Sequence, residues 1–130
     1  MTGLILFAHG STVESANEAV RHIGAQLAKQ GGYDRVATSF LEGGTPDLPA
    51  AAETLIAGGA DRIVVLPYFL TLGLHLKRDL PRLVEQVQAA HPGVEFETAP
   101  PLDGHDALVT ILLDRARTAL AEHPRTIALR

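Results

Sequence analysis

The chain has 130 residues, of which 46% are hydrophobic and 20% are charged, a composition typical of one globular domain with a buried core. Eleven Lys and Arg residues against fifteen Asp and Glu residues give a net charge of -4, so we expect neither nucleic-acid nor membrane binding. The lack of cysteine excludes disulfides and thiolate metal sites and favours a cytoplasmic location. Any bound transition metal must therefore use His, Asp or Glu ligands.

Hydrophobic periodicity divides the chain into alternating strands and helices. Short apolar runs bounded by turn residues predict strands, and apolar residues that repeat every three or four positions predict amphipathic helices. In chain order the predicted elements are a strand over 4–8, a helix over 13–30, a strand over 35–41, a helix from Pro46 or Pro49 to Gly58, a strand over 62–70, a helix ending near His91, a strand over 94–99 and a helix over 105–122. The run over 4–8 is too short for a signal peptide or a membrane span.

Strands that alternate with helices of this length predict a mostly parallel sheet with right-handed crossovers. The expected fold is an α/β three-layer sandwich with four strands, or five if residues 126–129 pair at the edge. The third strand carries Pro67, which indicates that its ladder ends near that residue. No repeat or linker interrupts the chain, so residues 1–130 are predicted to form a single domain.

The residues that could bind a ligand or take part in a reaction follow the ends of the predicted strands. Ligands of open parallel sheets bind at the carboxyl ends of the strands. The segments that follow the predicted strands are 9–11, 41–44, 70–75 and 100–105. They bring His9, His75 and Glu42 to one end of the sheet. His105 lies at this end as well, where it fits the start of a helix equally well.

Two histidines at neighbouring strand ends predict a divalent-metal site. Imidazoles suit Co²⁺, Ni²⁺, Fe²⁺ or Zn²⁺, and two protein ligands leave coordination positions open, so such a site holds metal transiently. In the alternative interpretation, His9 only hydrogen-bonds locally at the strand end. A hydrolase with Ser11 as nucleophile is a third reading, although the nucleophile elbow G-x-S-x-G is missing.

Five segments carry a family resemblance: LFAHGS at 6–11, FLE at 40–42, IVVLPYFL at 63–70, G-x-H-x-x-x-D-L-P at 73–81 and APPL-x-GH at 99–105. Together they resemble the small CbiX/SirB-type sirohydrochlorin chelatases, in register over essentially the whole chain. The resemblance implies a lyase that inserts Co²⁺, Fe²⁺ or Ni²⁺ into sirohydrochlorin or a related tetrapyrrole, in cobalamin or siroheme biosynthesis. The metal is then a substrate, and no other cofactor is implied.

The resemblance also assigns roles to individual residues. It implies that His9 is a metal ligand and the acceptor of pyrrole protons, and that His75 is the second metal ligand. Elementary chemistry agrees, because insertion must strip water from the ion and remove two pyrrole protons. Glu42 is predicted to relay protons or hold the ion; alternatively, it is a carboxylate at the entry of the following helix.

A further group of residues is predicted to bind the tetrapyrrole: Ser11, Gly43, Phe69, Leu70, Thr71, Leu72, Gly73 and Leu74. Phe69 and Leu70 equally fit the core at the end of a strand. Lys77 and Arg78 are either anchors for substrate carboxylates or ordinary solvated charges.

Longer chelatases resemble two such chains in tandem, so the resemblance implies a homodimer here. The turn at 12–15 departs from the basic, proline-containing turn of relatives, which leaves metal choice and substrate anchoring open. A non-catalytic metal or tetrapyrrole carrier on the same fold is the alternative function.

Overall fold

The fold is an α/β arrangement in which four strands alternate with four helices. A computed structural model describes residues 1–33 and 35–123. Its elements are β1 (Thr2–Ala8), α1 (Glu14–Gly31), β2 (Val36–Phe40), α2 (Leu48–Ala57), β3 (Arg62–Pro67), α3 (Leu74–Ala90), β4 (Glu95–Thr98) and α4 (Ala107–Glu122). All pairings are parallel, in the order β2-β1-β3-β4. The predicted fold class is confirmed, and the candidate strand at 126–129 lies outside the described residues.

β1 is a central strand, and all of its residues after the first are buried. Ile5 and Phe7 point into the core that the sheet forms with α2 and α3. On the other face α1 approaches closely at Gly24, where an added Cβ would lie 2.4 Å from Thr38 Oγ1 and 4.0 Å from Leu6. Cover on both faces explains the unbroken apolar run in the sequence.

The face of the sheet that carries α1 and α4 is less well covered. The buried residues of α1 are Asn17 and Gly24, whereas Ile23, which belongs to the apolar stripe seen in the sequence, is 37% exposed. Every residue of α4 is exposed except the half-buried Leu108. An apolar surface therefore remains open on this side. In the described part of the chain, every helix is too short or too polar to cross a membrane.

Two predicted boundaries near the sheet end are wrong. The strand predicted over 62–70 is three residues too long: β3 ends at Pro67, which confirms that the ladder ends at this proline, because proline has no N–H for the ladder and the chain leaves the sheet after Tyr68 donates to the carbonyl of Phe7. α3 begins at Leu74. His75 therefore lies in the first turn of a helix and not on a loop directly after the strand.

Candidate functional site

The candidate site lies where the strand order reverses. β1 has β2 on one side and β3 on the other, and the crevice between such strands is the usual ligand site of open parallel sheets. A cleft of about 310 Å³ opens at this end, lined by His9, Leu41, Phe69, Gly73, Leu74, His75, Leu76 and Asp79. The structure thus brings the two predicted metal ligands into one cleft.

His9 and Glu42 form a pair at the edge of this cleft. His9 Nδ1 lies 3.2 Å from the carbonyl oxygen of Gly10, and because a carbonyl only accepts, Nδ1 carries a proton in this contact. The other ring nitrogen, Nε2, lies 3.4 Å from Glu42 Oε1. Their side chains are 60% and 70% exposed. A proton or a metal ion placed between the imidazole nitrogen and the carboxylate would be bound by both groups.

The loops that carry this pair are in direct backbone contact. The Glu42 N–H donates to the His9 carbonyl at 2.9 Å. Gly10 has φ +92°, and an added Cβ would lie 1.6 Å from the Glu42 carbonyl oxygen. Gly43 has φ +72°, and its Cβ would lie 2.9 to 3.1 Å from backbone atoms of Ser11. Glycine at both positions permits the close approach that brings Glu42 to His9.

His75 is held by its neighbours on α3. Its Nδ1 lies 3.3 Å from Arg78 Nη2, and since a guanidinium only donates, Nδ1 accepts and a neutral ring carries its proton on Nε2. Arg78 Nε also donates to Asp79 Oδ1 at 3.2 Å. His75 therefore becomes available as a metal ligand only when Arg78 releases Nδ1.

Asp79 lines the cleft, although no role for it was predicted from the sequence. It stands four residues after His75 on α3, so both side chains project from one face of the helix. The helical spacing within the motif G-x-H-x-x-x-D is the signal that could have revealed it. Asp79 adds a second carboxylate, besides Glu42, near the two histidines.

The apolar wall of the cleft is built by part of the predicted set. The half-buried Phe69 lines the cleft and packs on Phe7, with ring centroids 6.1 Å apart. Leu74 also lines it and is 84% exposed. Gly73 is the N-cap of α3 with φ -67°, so its backbone does not require glycine.

Five predicted substrate-binding residues lie outside the described lining of the cleft: Ser11, Gly43, Leu70, Thr71 and Leu72. Ser11 Oγ accepts a hydrogen bond from the Val13 N–H at 2.9 Å, so it shapes the turn before α1. Leu72 packs against the hydrophobic core instead of facing the cleft.

His105 lies near the sheet end but away from the cleft. Its Nδ1 accepts from the Ala107 N–H at 3.0 Å, which caps the start of α4. Among residues 1–33 and 35–123, no three His, Asp or Glu side chains converge in a metal-binding arrangement. A metal at the cleft would thus have few protein ligands and keep open coordination positions.

The sequence matches known chelatases over most of its length. The CbiX family model matches residues 3–119. A sirohydrochlorin cobaltochelatase of Sulfolobus acidocaldarius is 32% identical and aligns over 93% of this chain and 94% of its own length. One of Methanococcus aeolicus is 28% identical over 90% of this chain and 99% of its own. The chloroplastic sirohydrochlorin ferrochelatase of Arabidopsis thaliana is 28% identical, and the alignment covers 53% of that longer protein.

Solved structures share the fold. A CbiX protein of Marinobacter aquaeolei superposes with a TM-score of 0.83 at 25% identity, over 94% of this chain and 99% of the other. The sirohydrochlorin chelatase SirB of Bacillus subtilis, solved with cobalt, gives a TM-score of 0.84 at 21% identity, and the match covers 90% of this chain but 50% of SirB. On the extent of the family match, this chain belongs to the CbiX family.

Proposed function

We propose that this chain inserts a divalent metal ion, Co²⁺ or Fe²⁺, into sirohydrochlorin. The relatives named above carry the names cobaltochelatase and ferrochelatase. The structural observation that carries the proposal is one open cleft that contains both His9 and His75, with Glu42 paired to His9. Insertion exchanges one aqueous M²⁺ for two pyrrole protons, so the site needs metal ligands and a proton acceptor together.

In this proposal His9 accepts a pyrrole proton on Nε2. Its Nδ1 proton is already engaged with the Gly10 carbonyl, so Nε2 is the nitrogen that is free to react. Protonation makes an imidazolium whose charge faces Glu42 Oε1 at 3.4 Å, and the carboxylate stabilises it. Because both side chains are mostly exposed, the proton then passes to water, and the lone pair is restored for the metal or for the second proton.

His75 is proposed as the second metal ligand, with Arg78 as the group that controls its availability. Arg78 contacts His75 Nδ1 in this structure. A guanidinium binds a substrate carboxylate more strongly than it binds a neutral imidazole. Arrival of the polycarboxylate substrate would therefore draw Arg78 away and free His75 for the ion, while Lys77 offers a second anchor on the same turn.

One face of the macrocycle would lie against the apolar side of the cleft. Phe69, Leu74 and Leu41 supply this surface. Leu74 is 84% exposed and Leu41 is 36% exposed. Exposure of apolar side chains to water is unfavourable, and a flat apolar ligand that covers them would remove this free-energy cost. We therefore assign binding of the ring to these residues and to the backbone of Gly73.

The decisive experiment is an anaerobic insertion assay. Purified protein is mixed with sirohydrochlorin and Co²⁺, Fe²⁺ or Ni²⁺, and the absorption change is followed above the spontaneous rate. We expect acceleration with Co²⁺ or Fe²⁺; Ni²⁺ is a further proposed substrate because imidazole donors also suit it. His9→Ala and His75→Ala should lower the rate by about 100-fold. The control His91→Ala, after α3 at the opposite end of the sheet, should leave it unchanged.

The same assay distinguishes a chelatase from a non-catalytic metal or tetrapyrrole carrier. Binding of metal or sirohydrochlorin without any acceleration would identify a carrier and overturn the proposed function. Equal activity of His9→Ala and the control would reject the residue assignment.

We further propose that the chain works as a homodimer. Four large apolar side chains share one face of α4 and are between 51% and 68% exposed, namely Val109, Leu112, Leu113 and Leu120. An exposed apolar patch of this kind is typical of a protein–protein interface. The match to SirB covers half of that chain, so the other half of SirB is a precedent for a second domain beside this one. Sedimentation should give a dimer for the wild type and a monomer for Leu112→Glu; a monomeric wild type would refute the dimer.

A further inference from the structure

Asn17 is a polar side chain buried on the inner face of α1, with 1% exposure. Its Oδ1 accepts from the Ser11 N–H at 2.9 Å. Its Nδ2 donates to the Ser11 carbonyl at 2.9 Å and to the Gly43 carbonyl at 3.1 Å. Burial of an amide is costly unless its hydrogen bonds are satisfied. Here three of the satisfying groups, the N–H and carbonyl of Ser11 and the carbonyl of Gly43, belong to two loops at the carboxyl ends of β1 and β2.

These two loops carry the reacting pair. Ser11 stands two residues after His9, and Gly43 directly follows Glu42. The glycines at 10 and 43 bring the loops into backbone contact and also make each loop intrinsically flexible. A side chain that binds both loops at once fixes their relative position, and with it the 3.4 Å separation of His9 and Glu42.

Neighbours on α1 hold Asn17 in place. Nδ2 also lies 3.3 Å from Glu14 Oε2, and the other oxygen of Glu14 accepts from Arg21. Arg21 in turn donates to the Thr45 carbonyl at 3.3 Å. One face of α1 therefore donates hydrogen bonds to the β2–α2 loop at two points, one on each side of Gly44: Asn17 to the Gly43 carbonyl and Arg21 to the Thr45 carbonyl.

We propose that Asn17 is a positioning residue for metal insertion, which acts by holding Glu42 opposite His9. The inference rests on the proposed function, because it assigns a role within that reaction. Asn17 is buried and lies outside the lining of the cleft, so it acts through other residues. Its effect therefore passes through Glu42 and must disappear when Glu42 can no longer act.

The test begins with Asn17→Asp, which keeps the acceptor for the Ser11 N–H but loses both donors to the loop carbonyls. A matched control is Gln88→Glu. The Gln88 amide makes the same kind of bridge at the opposite end of the sheet, where Nε2 donates to the carbonyls of His91 and Val94 and Oε1 accepts from the Phe96 N–H. Both changes convert a bridging amide into a carboxylate, so they lower thermal stability through the same chemistry.

In Asn17→Asp the two loops no longer hold His9 and Glu42 at a fixed separation. We therefore expect kcat to fall by about 10-fold to 100-fold, with little change in KM for the metal. Gln88→Glu should keep kcat within about 2-fold of the wild type. A fall in kcat for Gln88→Glu that matches Asn17→Asp at equal Tm would show a general stability effect and overturn the inference. If Asn17→Asp does not fold, Asn17→Ala and Gln88→Ala make the same comparison without a buried charge.

A double-mutant cycle supplies the readout that a merely structural role would not move. In a Glu42→Gln background, the Asn17 substitution should change kcat by less than about 3-fold, because the group that it positions is already inactive. Multiplicative effects would overturn the inference while leaving the proposed function intact. A wild-type chain that does not accelerate insertion would instead refute the proposed function, and the role of Asn17 with it.

Discussion

His9 Nε2 and Glu42 Oε1 lie 3.4 Å apart, although the two residues follow different strands. Their proximity is a consequence of sheet order, because β1 and β2 are parallel neighbours whose last residues, Ala8 and Phe40, are paired. The segments that follow β1 and β2 leave the sheet side by side, and a backbone hydrogen bond from Glu42 to His9 joins them. The pairing of an imidazole with a carboxylate at this point is thus a property of the fold and not of a local motif.

Glu42→Gln should lower kcat for metal insertion by about 10-fold to 100-fold, because the amide no longer stabilises an imidazolium at His9. Thermal stability should change little, since a contact between two mostly exposed side chains contributes little to folding. Initial rates and melting curves test both statements. Glu53→Gln, an exposed change on α2, is the control; equal rates for the two variants would contradict a role for Glu42.

Arg78→Gln should increase the affinity of the free protein for Co²⁺ by about 5-fold, because it removes both a nearby positive charge and the donor to His75 Nδ1. At the same time KM for sirohydrochlorin should rise, because a carboxylate anchor is lost. Metal titration and steady-state rates measure the two effects. Arg82→Gln, one turn further along α3, should show neither, and weaker metal binding by Arg78→Gln would refute the competition.

Gly10→Ala should impair both folding and activity. The residue has φ +92°, and the new methyl group would collide with the Glu42 carbonyl oxygen, so the loops must separate. We expect a loss of at least about 2 kcal/mol in the free energy of unfolding and a lower kcat. For Gly93→Ala a methyl group would meet no described atom within 4 Å, and chemical denaturation should show that this variant is the less affected of the two.

Ser39→Ala should stabilise the protein. The Ser39 hydroxyl is fully buried and has no hydrogen-bond partner among the described residues. Its removal relieves an uncompensated desolvation cost, so the free energy of unfolding should rise by about 1 kcal/mol. Urea unfolding of this variant and of the exposed control Ser15→Ala provides the comparison. A clear loss of stability would show that the hydroxyl is satisfied in solution.

Stability should fall at acid pH partly through Glu14. A hydrogen bond from Arg21, and to a smaller extent one from Asn17, holds the pKa of Glu14 below its ordinary value of 4.5. A lowered pKa in the folded state means that the contribution is complete above the ordinary value and is lost as the pH falls through the folded value. Unfolding curves at pH about 6 and about 3 should therefore converge for wild type and Glu14→Gln at the lower pH. An equal difference at both pH values would contradict this assignment.

The sequence by itself determined the alternation of strands and helices, the parallel sheet, the family and the position of His9. These features are local or periodic: an apolar run predicts a doubly covered strand, and a histidine that ends such a run must lie at the sheet edge. The motif around His75 was also readable, although the end of β3 was placed three residues too late. Local signals of this kind need no knowledge of which strands are neighbours.

Only the tertiary structure decided which side chains meet. It turned Ser11 toward the turn before α1, placed Asp79 in the cleft, and buried Asn17 between two loops. No periodicity marks Asn17, because a polar residue on a helix reads as solvated until the packing of that helix is known. The approach of separate loops depends on strand order and crossover direction, and these are fixed by the whole sheet rather than by any segment of it.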